Sequence, residues 1–266
     1  MYRCPLCHQT LILQGRSWQC SSNHHFDVAK EGYVNLLPVQ HKRSKQPGDN
    51  HDMMQARRAF LQAGYYQPLV NALCTQLSPF SASISNWLDI GCGEGYYTAA
   101  IAQTLGGHGA YGLDIAKVAI RYAAKHAPEV RFCVASAYDL PFISASMDLM
   151  TRIFAPSKLE EIQRVLKPGG YFLSVEPAAD HLIELKQAIY TQPRLHTTRS
   201  STLSGFDLVS EQRLTYPVHL ADTHSTRNLI EMTPFAWKCN PQQKHALATS
   251  LVQLTCDFRI RGYRKH

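Results

Sequence analysis

Three cysteines and two adjacent histidines open the chain in a pattern able to hold a metal. Cys4 and Cys7 frame a C-P-L-C knuckle, Cys20 follows, and His24 and His25 close a second knuckle. The spacing is C-x2-C-x12-C-x3-H, or one residue longer if His25 closes it. Thiolates and an imidazole on two short knuckles supply the four soft donors that tetrahedral Zn²⁺ prefers, and a closed set of four implies a structural ion. The competing reading is three reduced cysteines in a small hairpin. Spacing leaves His24 and His25 both open.

A second chemistry sits in NWLDIGCGEGYYTAAIAQTL, Asn86 to Leu105. Trp87, Leu88 and Ile90 form an apolar run of strand length, and Ile101, Ala102 and Leu105 recur at helical spacing. Gly91, Gly93 and Gly95 between them let a ligand lie against main-chain N–H groups at a helix N-terminus. The dinucleotide fingerprint G-x-G-x-x-G needs its third glycine where this chain has Tyr96. Asp89, before the loop, would repel a pyrophosphate and attract an ammonium or sulfonium. S-adenosylmethionine carries both cations and no phosphate. DIGCGEG therefore resembles the first motif of the class I S-adenosylmethionine-dependent methyltransferases, and the bland alternative is a tight turn in some other α/β domain. Cys92 has no activating partner in the sequence and reads as a small filler of the turn.

The elements that must position this loop follow in order. AYGLD, Ala110 to Asp114, reads as a second strand ending in an acid placed to bond ribose hydroxyls. Val130 to Ala135, Met147 to Phe154 and Leu166 to Pro177 read as strands three to five. Two helices broken at Gly64 should precede the sheet and could bring Tyr65 or Tyr66 over the cofactor site, and two antiparallel strands over 205–220 and 251–260 should close it. This predicts an α/β fold: a Rossmann-like class I methyltransferase sheet with a small N-terminal zinc-ribbon-like module. The expected division is residues 1–36 for the zinc module, 37–80 for a basic linker and helices, and 81–266 for the methyltransferase domain.

The 266 residues suffice for one sizeable domain and a small module. The apolar runs fall short of the roughly 18 residues a membrane helix needs, and the cysteines near the start take the place of a signal peptide's apolar core. Five further cysteines, scattered singly, argue against a disulfide framework and for a reducing cytoplasm. Net charge +7 suits an anionic partner, although a solvated basic surface gives the same number. His41, Lys42, Arg43 and Lys45 cluster in a Pro/Gly-containing segment suited to phosphate contacts.

CPLC, FDVAKEGYVNLLPVQHKRSKQPGD, MMQARRAFLQAGYYQPL, LDIGCGEGYYT, FCVAS and MTPFAW together resemble the bacterial 23S rRNA guanine-N1 methyltransferases over nearly the whole chain. The resemblance implies a dimeric enzyme whose zinc-binding domain precedes a methyltransferase domain, and whose target is a guanine in a hairpin loop of 23S rRNA domain II. It implies zinc ligands Cys4, Cys7, Cys20 and His24, and cofactor contacts at Tyr66, Gly93, Glu94 and His181.

Two departures bear on mechanism. After the third strand SAYDLPF offers Ser136 and Asp139 where many class I enzymes place an acid for the adenine amine. After the fourth, Ala155 to Lys158 lacks the Asn or Asp of amino-methyltransferases, which argues against exocyclic amino-group chemistry and is compatible with a ring nitrogen as the methyl acceptor. Neutral guanine carries a proton on N1, so a base must take it or the enolate-like anion must be stabilised; Asp139 and Glu176 are the candidates. Two other classes compete: a small-molecule methyltransferase bearing a zinc ribbon, and a non-catalytic RNA-binding module on a relic cofactor domain. The basic linker and tail weigh against the first, the intact loop and Asp114 against the second. Within the same family, the alternative is a sister group that modifies a neighbouring guanine of the same loop and affects macrolide sensitivity.

Overall fold

The computed structural model describes residues 1–41, 51–107, 109–192 and 200–266. Lys42, Arg43 and Lys45 lie outside the described residues. At the N-terminus β1 (Ile12–Gln14), β2 (Ser17–Gln19) and β3 (His25–Asp27) form a small antiparallel sheet in register Leu13 to Trp18 to Phe26. Then β4 (Val34–Asn35) leaves this sheet and joins the large one.

Helix α1 (His51–Gln62) buries Met53, Met54, Ala56, Phe60 and Leu61, and Gly64, at φ +83°, ends the run as the sequence predicts. Helix α2 (Gln67–Leu77) carries Pro68 in its first turn, where a missing N–H costs nothing, and buries Leu69, Val70, Leu73 and Leu77 at helical spacing.

The core strand β5 (Trp87–Ile90) is buried at every position, as a central parallel strand must be. It is followed by α3 (Tyr96–Thr104), β6 (Ala110–Asp114), α4 (Lys117–His126), β7 (Arg131–Val134), β8 (Met147–Ile153), α5 (Leu159–Val165) and β9 (Leu166–Pro177). The chain closes with α6 (Ile183–Ile189), β10 (Phe206–His219), α7 (Thr223–Glu231), α8 (Pro241–Ser250) and β11 (Gln253–Lys265). The sheet order is β10-β11-β9-β8-β5-β6-β7-β4, with β11 antiparallel to both neighbours. This is the class I methyltransferase arrangement. Strand order reverses between β5 and β8, so a crevice opens where the glycine loop leaves β5.

The two faces of the sheet are covered differently. Leu73, Ile101 and Ile120 from α2, α3 and α4 pack with Trp87 on one face. On the other, Tyr2, Cys4, Leu11 and Cys20 of the zinc module pack with Leu88, Ile90, Tyr111 and Phe142. Tyr2 is central: its ring lies edge-on to Trp18 at 4.9 Å and to Tyr111 at 5.6 Å. Burying an aromatic of this size stabilises by about 2 to 3 kcal/mol. The module thus serves as a wall of the same core.

Candidate metal centre and cofactor site

Cys4, Cys7, Cys20 and His24 bring four donor atoms within 4.8 Å of one another. His24 Nδ1 stands 3.5 Å from Cys4 Sγ and 3.4 Å from Cys20 Sγ, and Cys7 and Cys20 Sγ are 3.5 Å apart. A tetrahedron with bonds of about 2.0 to 2.3 Å has edges close to these lengths, so the donor set fits Zn²⁺. Each knuckle closes through a left-handed residue, His8 at φ +62° and Asn23 at φ +60°. The Asn23 N–H donates to Cys20 O at 3.0 Å, which turns His24 inward, while His25 belongs to β3. The choice between the histidines is made by this turn.

The glycine loop leaves β5 with Gly91, Gly93 and Gly95 all at positive φ. Their reasons differ. A Cβ on Gly91 would lie 2.4 Å from Ala155 Cβ, and one on Gly95 3.2 Å from Ala123 Cβ. At Gly93 nothing lies within 4 Å, so the loop has an open side there. Asp114 at the end of β6 holds the loop, accepting from Gly93 N at 3.0 Å and from Ala116 N at 2.8 Å. An open backbone cradle beside a strand-end carboxylate fits the ribose and amino-acid moiety of S-adenosylmethionine.

Asp89 corrects the electrostatic expectation. It is 2% exposed, and its carboxylate accepts from Thr98 at 2.6 Å and Thr151 at 2.7 Å, tying α3 and β8 to β5 beneath the loop. Burial raises its pKa to about 6 against the two hydroxyls that favour the anion. The side chain supports the cradle from below and faces protein hydroxyls. Cys92 is buried, with its thiol pushed well above the ordinary value by burial and by Asp114 and Asp89, consistent with a filler of the turn.

Beyond the loop stands an aromatic wall. Tyr66, 5% exposed, meets Phe60 and Phe258 edge-on at 5.1 Å, with Phe154 and His181 at 6.5 and 6.4 Å. His181 Nδ1 accepts from the Asp257 N–H at 3.3 Å, and its ring lies 4.8 Å from Phe258. Phe154, at φ +55° just after β8, links this wall to Tyr97 of α3 at 6.4 Å. Glu94 is gripped by both arms of Arg58, with Arg58 Nε 3.0 Å from Glu94 Oε2, and the guanidinium stacks 3.7 Å over the Tyr122 ring. Arg58 was not singled out in the sequence; the Arg57–Arg58 pair on the helix facing the loop was the available signal.

The two proton-acceptor candidates are in different places. Asp139, on the turn after β7, pairs with Arg3 of the zinc module at 3.0 Å. Glu176 near the end of β9 pairs with Arg152 of β8 at 3.1 Å. Arg152 also donates to Ser174 at 2.8 Å and to Ser157 at 3.2 Å, in the segment that abuts Gly91 through Ala155. Arg152 was missed in the sequence because a lone arginine within an apolar strand carries no motif.

The fold and cradle define a methyltransferase, and residues 82–224 match the family described as a methyltransferase domain. Residues 2–45 match the zinc ribbon described as the N-terminal part of RlmA. The 23S rRNA (guanine(748)-N(1))-methyltransferase of Streptomyces fradiae is 32% identical over 260 residues, which cover 95% of this chain and 90% of that one. YxjB of Bacillus subtilis (strain 168), provisionally named a 23S rRNA (guanine-N(1)-)-methyltransferase, is 32% identical over 275 residues, covering 98% and 95%. The chain belongs to the 23S rRNA (guanine-N1)-methyltransferase family.

Proposed function

We propose that the protein methylates N1 of a guanine in a hairpin loop of 23S rRNA domain II. The observation that carries this is the zinc ribbon packed as a wall of the methyltransferase core, in a chain similar over nearly its whole length to an enzyme named a 23S rRNA (guanine(748)-N(1))-methyltransferase. S-adenosylmethionine, when bound, supplies an electrophilic sulfonium methyl. Gly91, Gly93 and Gly95 cradle it by backbone, Asp114 holds the ribose, and Tyr66, Glu94 and His181 border the space, with Asp89 acting through the loop. Glu176 or Asp139 accepts the N1 proton, and in-line positioning of the reactants supplies most of the rate.

A base edge must be unpaired to react, which a loop or an extruded nucleotide provides. The zinc module, with Lys42, Arg43 and Lys45 following it, orients the hairpin through phosphate contacts. We assign residues 1–36 to that module, 37–80 to the connecting helices and 81–266 to the catalytic domain. The enzyme works in the cytoplasm as a homodimer, a reading supported by its family resemblance. Among the described residues no helix is long and apolar enough to cross a membrane.

The test is reverse-transcription stop mapping on rRNA made with and without the protein. The expected result is one stop in the domain II hairpin that depends on the protein and on S-adenosylmethionine, and its position separates this enzyme from the sister group. A stop pattern unchanged by the protein overturns the proposal.

A further inference from the structure

Glu94 stands between Gly93 at φ +54° and Gly95 at φ +81°, so the backbone on either side of it has no side chain to anchor it. Its own side chain reaches out of the loop instead. Arg58 of α1 takes both carboxylate oxygens, with Nε 3.0 Å from Oε2 and a terminal nitrogen on Oε1. The pair is largely shielded from water, the Glu94 side chain being 10% exposed and that of Arg58 29%. A planar fork on a carboxylate fixes orientation as well as distance.

Arg58 is itself held. Its guanidinium lies 3.7 Å over the ring of Tyr122 on α4, and that ring is stacked on His126 at 3.8 Å while its hydroxyl accepts from Gln62 at 3.3 Å. Helix α1 does not need the pair for its own attachment, since Ala56, Phe60 and Leu61 already sit in the core. What the pair fixes is therefore on the loop side. It also cancels a charge there. S-adenosylmethionine sets a sulfonium and an ammonium against one carboxylate, whereas its demethylated product, S-adenosylhomocysteine, has a neutral thioether in place of the sulfonium. A net charge on the loop thus acts on the cofactor far more than on the product.

We infer that Arg58 is a positioning residue of the cofactor site: by fixing and neutralising Glu94 it sets how far the loop prefers S-adenosylmethionine over S-adenosylhomocysteine, and so how strongly product competes with fresh cofactor. This rests on the cofactor reading above and deepens it. Arg58 acts through Glu94, and Tyr122 through Arg58. The pair exchanges part of the preference that a bare carboxylate would give for a loop held in one shape.

The test is calorimetry of both ligands on the full zinc-loaded chain, for wild type, Arg58→Gln, Arg58→Lys, Glu94→Gln and the double variant Arg58→Gln/Glu94→Gln. Thermal unfolding serves as the folding control. Arg58→Gln leaves the carboxylate uncompensated, so the ratio of S-adenosylmethionine to S-adenosylhomocysteine affinity should rise about three- to tenfold, the reach of one charge across a partly hydrated site. Glu94→Gln leaves the guanidinium uncompensated and should lower the ratio by a similar factor. The double variant should return to the wild-type ratio, with both ligands bound more weakly. Arg58→Lys keeps the charge and loses the fork, so the ratio should hold while both affinities fall. Added salt should shrink the two opposite shifts together.

Equal weakening of both ligands in Arg58→Gln and Glu94→Gln, with the ratio unmoved, would reduce the pair to a structural brace and overturn the inference. A shift in Arg58→Gln that persists in the double variant would do the same, because Arg58 would then not act through Glu94. Should Arg58→Gln fail to fold, an unmoved ratio in Glu94→Gln or a shifted one in Arg58→Lys overturns it instead. Wild type that binds neither ligand would remove the cofactor reading and this inference with it. Stop mapping reports separately on the RNA: ratios that move as expected without a stop uphold the role of Arg58 and remove only the methylation of that hairpin.

Discussion

The zinc knot and the cofactor cradle are built in opposite ways. The knot takes four side-chain donors from within 21 residues, Cys4 to His24, and its geometry is closed by two local turns. The cradle relies on backbone at Gly91 to Gly95, carried by β5 and braced from Asp89, Asp114 and the segment after β8. A side-chain site is written in residue types and spacing. A backbone site is written in which residues are absent, and it works only once the sheet has placed its supports.

The sharpest break of this comparison is loss of the metal. Structural zinc contributes on the order of 10 kcal/mol to the folding of its segment, so Cys20→Ser should release the ion and disorder the module. Because Cys4, Cys20, Tyr2 and Leu11 also wall the sheet, the melting temperature of the catalytic domain should fall as well. Affinity for S-adenosylmethionine should nevertheless survive below that melting point. Metal analysis, calorimetry and thermal unfolding on one preparation check all three, and cofactor binding lost along with the zinc would mean that the two sites are one unit.

Within the cradle, two glycines should fail differently. Gly91→Ala places a methyl against Ala155 at a left-handed φ, and should cost about 2 to 5 kcal/mol of stability through overpacking and strain. Gly93→Ala meets no neighbour, so it should cost only about 1 kcal/mol of backbone strain while its methyl fills the open side. Its cofactor affinity should drop out of proportion to its stability. Chemical denaturation beside calorimetry separates the two; proportional losses in both variants would remove the open cradle from the site.

The effect at Asp89 depends on pH. A carboxyl raised to about 6 on folding, from an ordinary value near 3.9, favours the folded state while protonated in both states. That support is lost as pH rises from about 4 through 6, and amounts to about 3 kcal/mol above it. Asp89→Asn, whose amide can accept from one threonine and donate to the other, should therefore be more stable than wild type at pH 7.5 by up to this amount. Below pH 4 the gain should vanish. Urea denaturation at the two pH values measures it, and a gain independent of pH would show that the carboxylate is not the titrating group.

Much of this was legible in the sequence. The C-x2-C-x12-C-x3-H spacing marked the knot, and the five strand runs appeared as β5 to β9 with boundaries shifted by a residue or so. What stayed hidden depended on direction. Whether His24 or His25 turns inward is decided by the left-handed residue at Asn23, and spacing carries no φ. Asp89 looked ligand-facing because strand position was legible while side-chain surroundings were not; Thr151 comes to it from a strand 62 residues away. The surroundings of Glu176 were further out of reach, since Arg152 comes to it from β8 and Arg259 stands opposite it only because β11 returns antiparallel on β9.

Strand β4 gives the final consequence. Val34 and Asn35 pair in parallel with Cys133 and Val134, so the last stretch of the zinc module is also the outermost strand of the catalytic sheet. Cutting after residue 36 would strip β7 of its outer neighbour and bare Tyr111 and Phe142, leaving a sticky edge beside a greasy face. The ribbon is therefore no detachable cassette: any chimaera that exchanges it for another RNA-binding head must bring a strand to cap β7 and a counterpart of Tyr2 to seal the face.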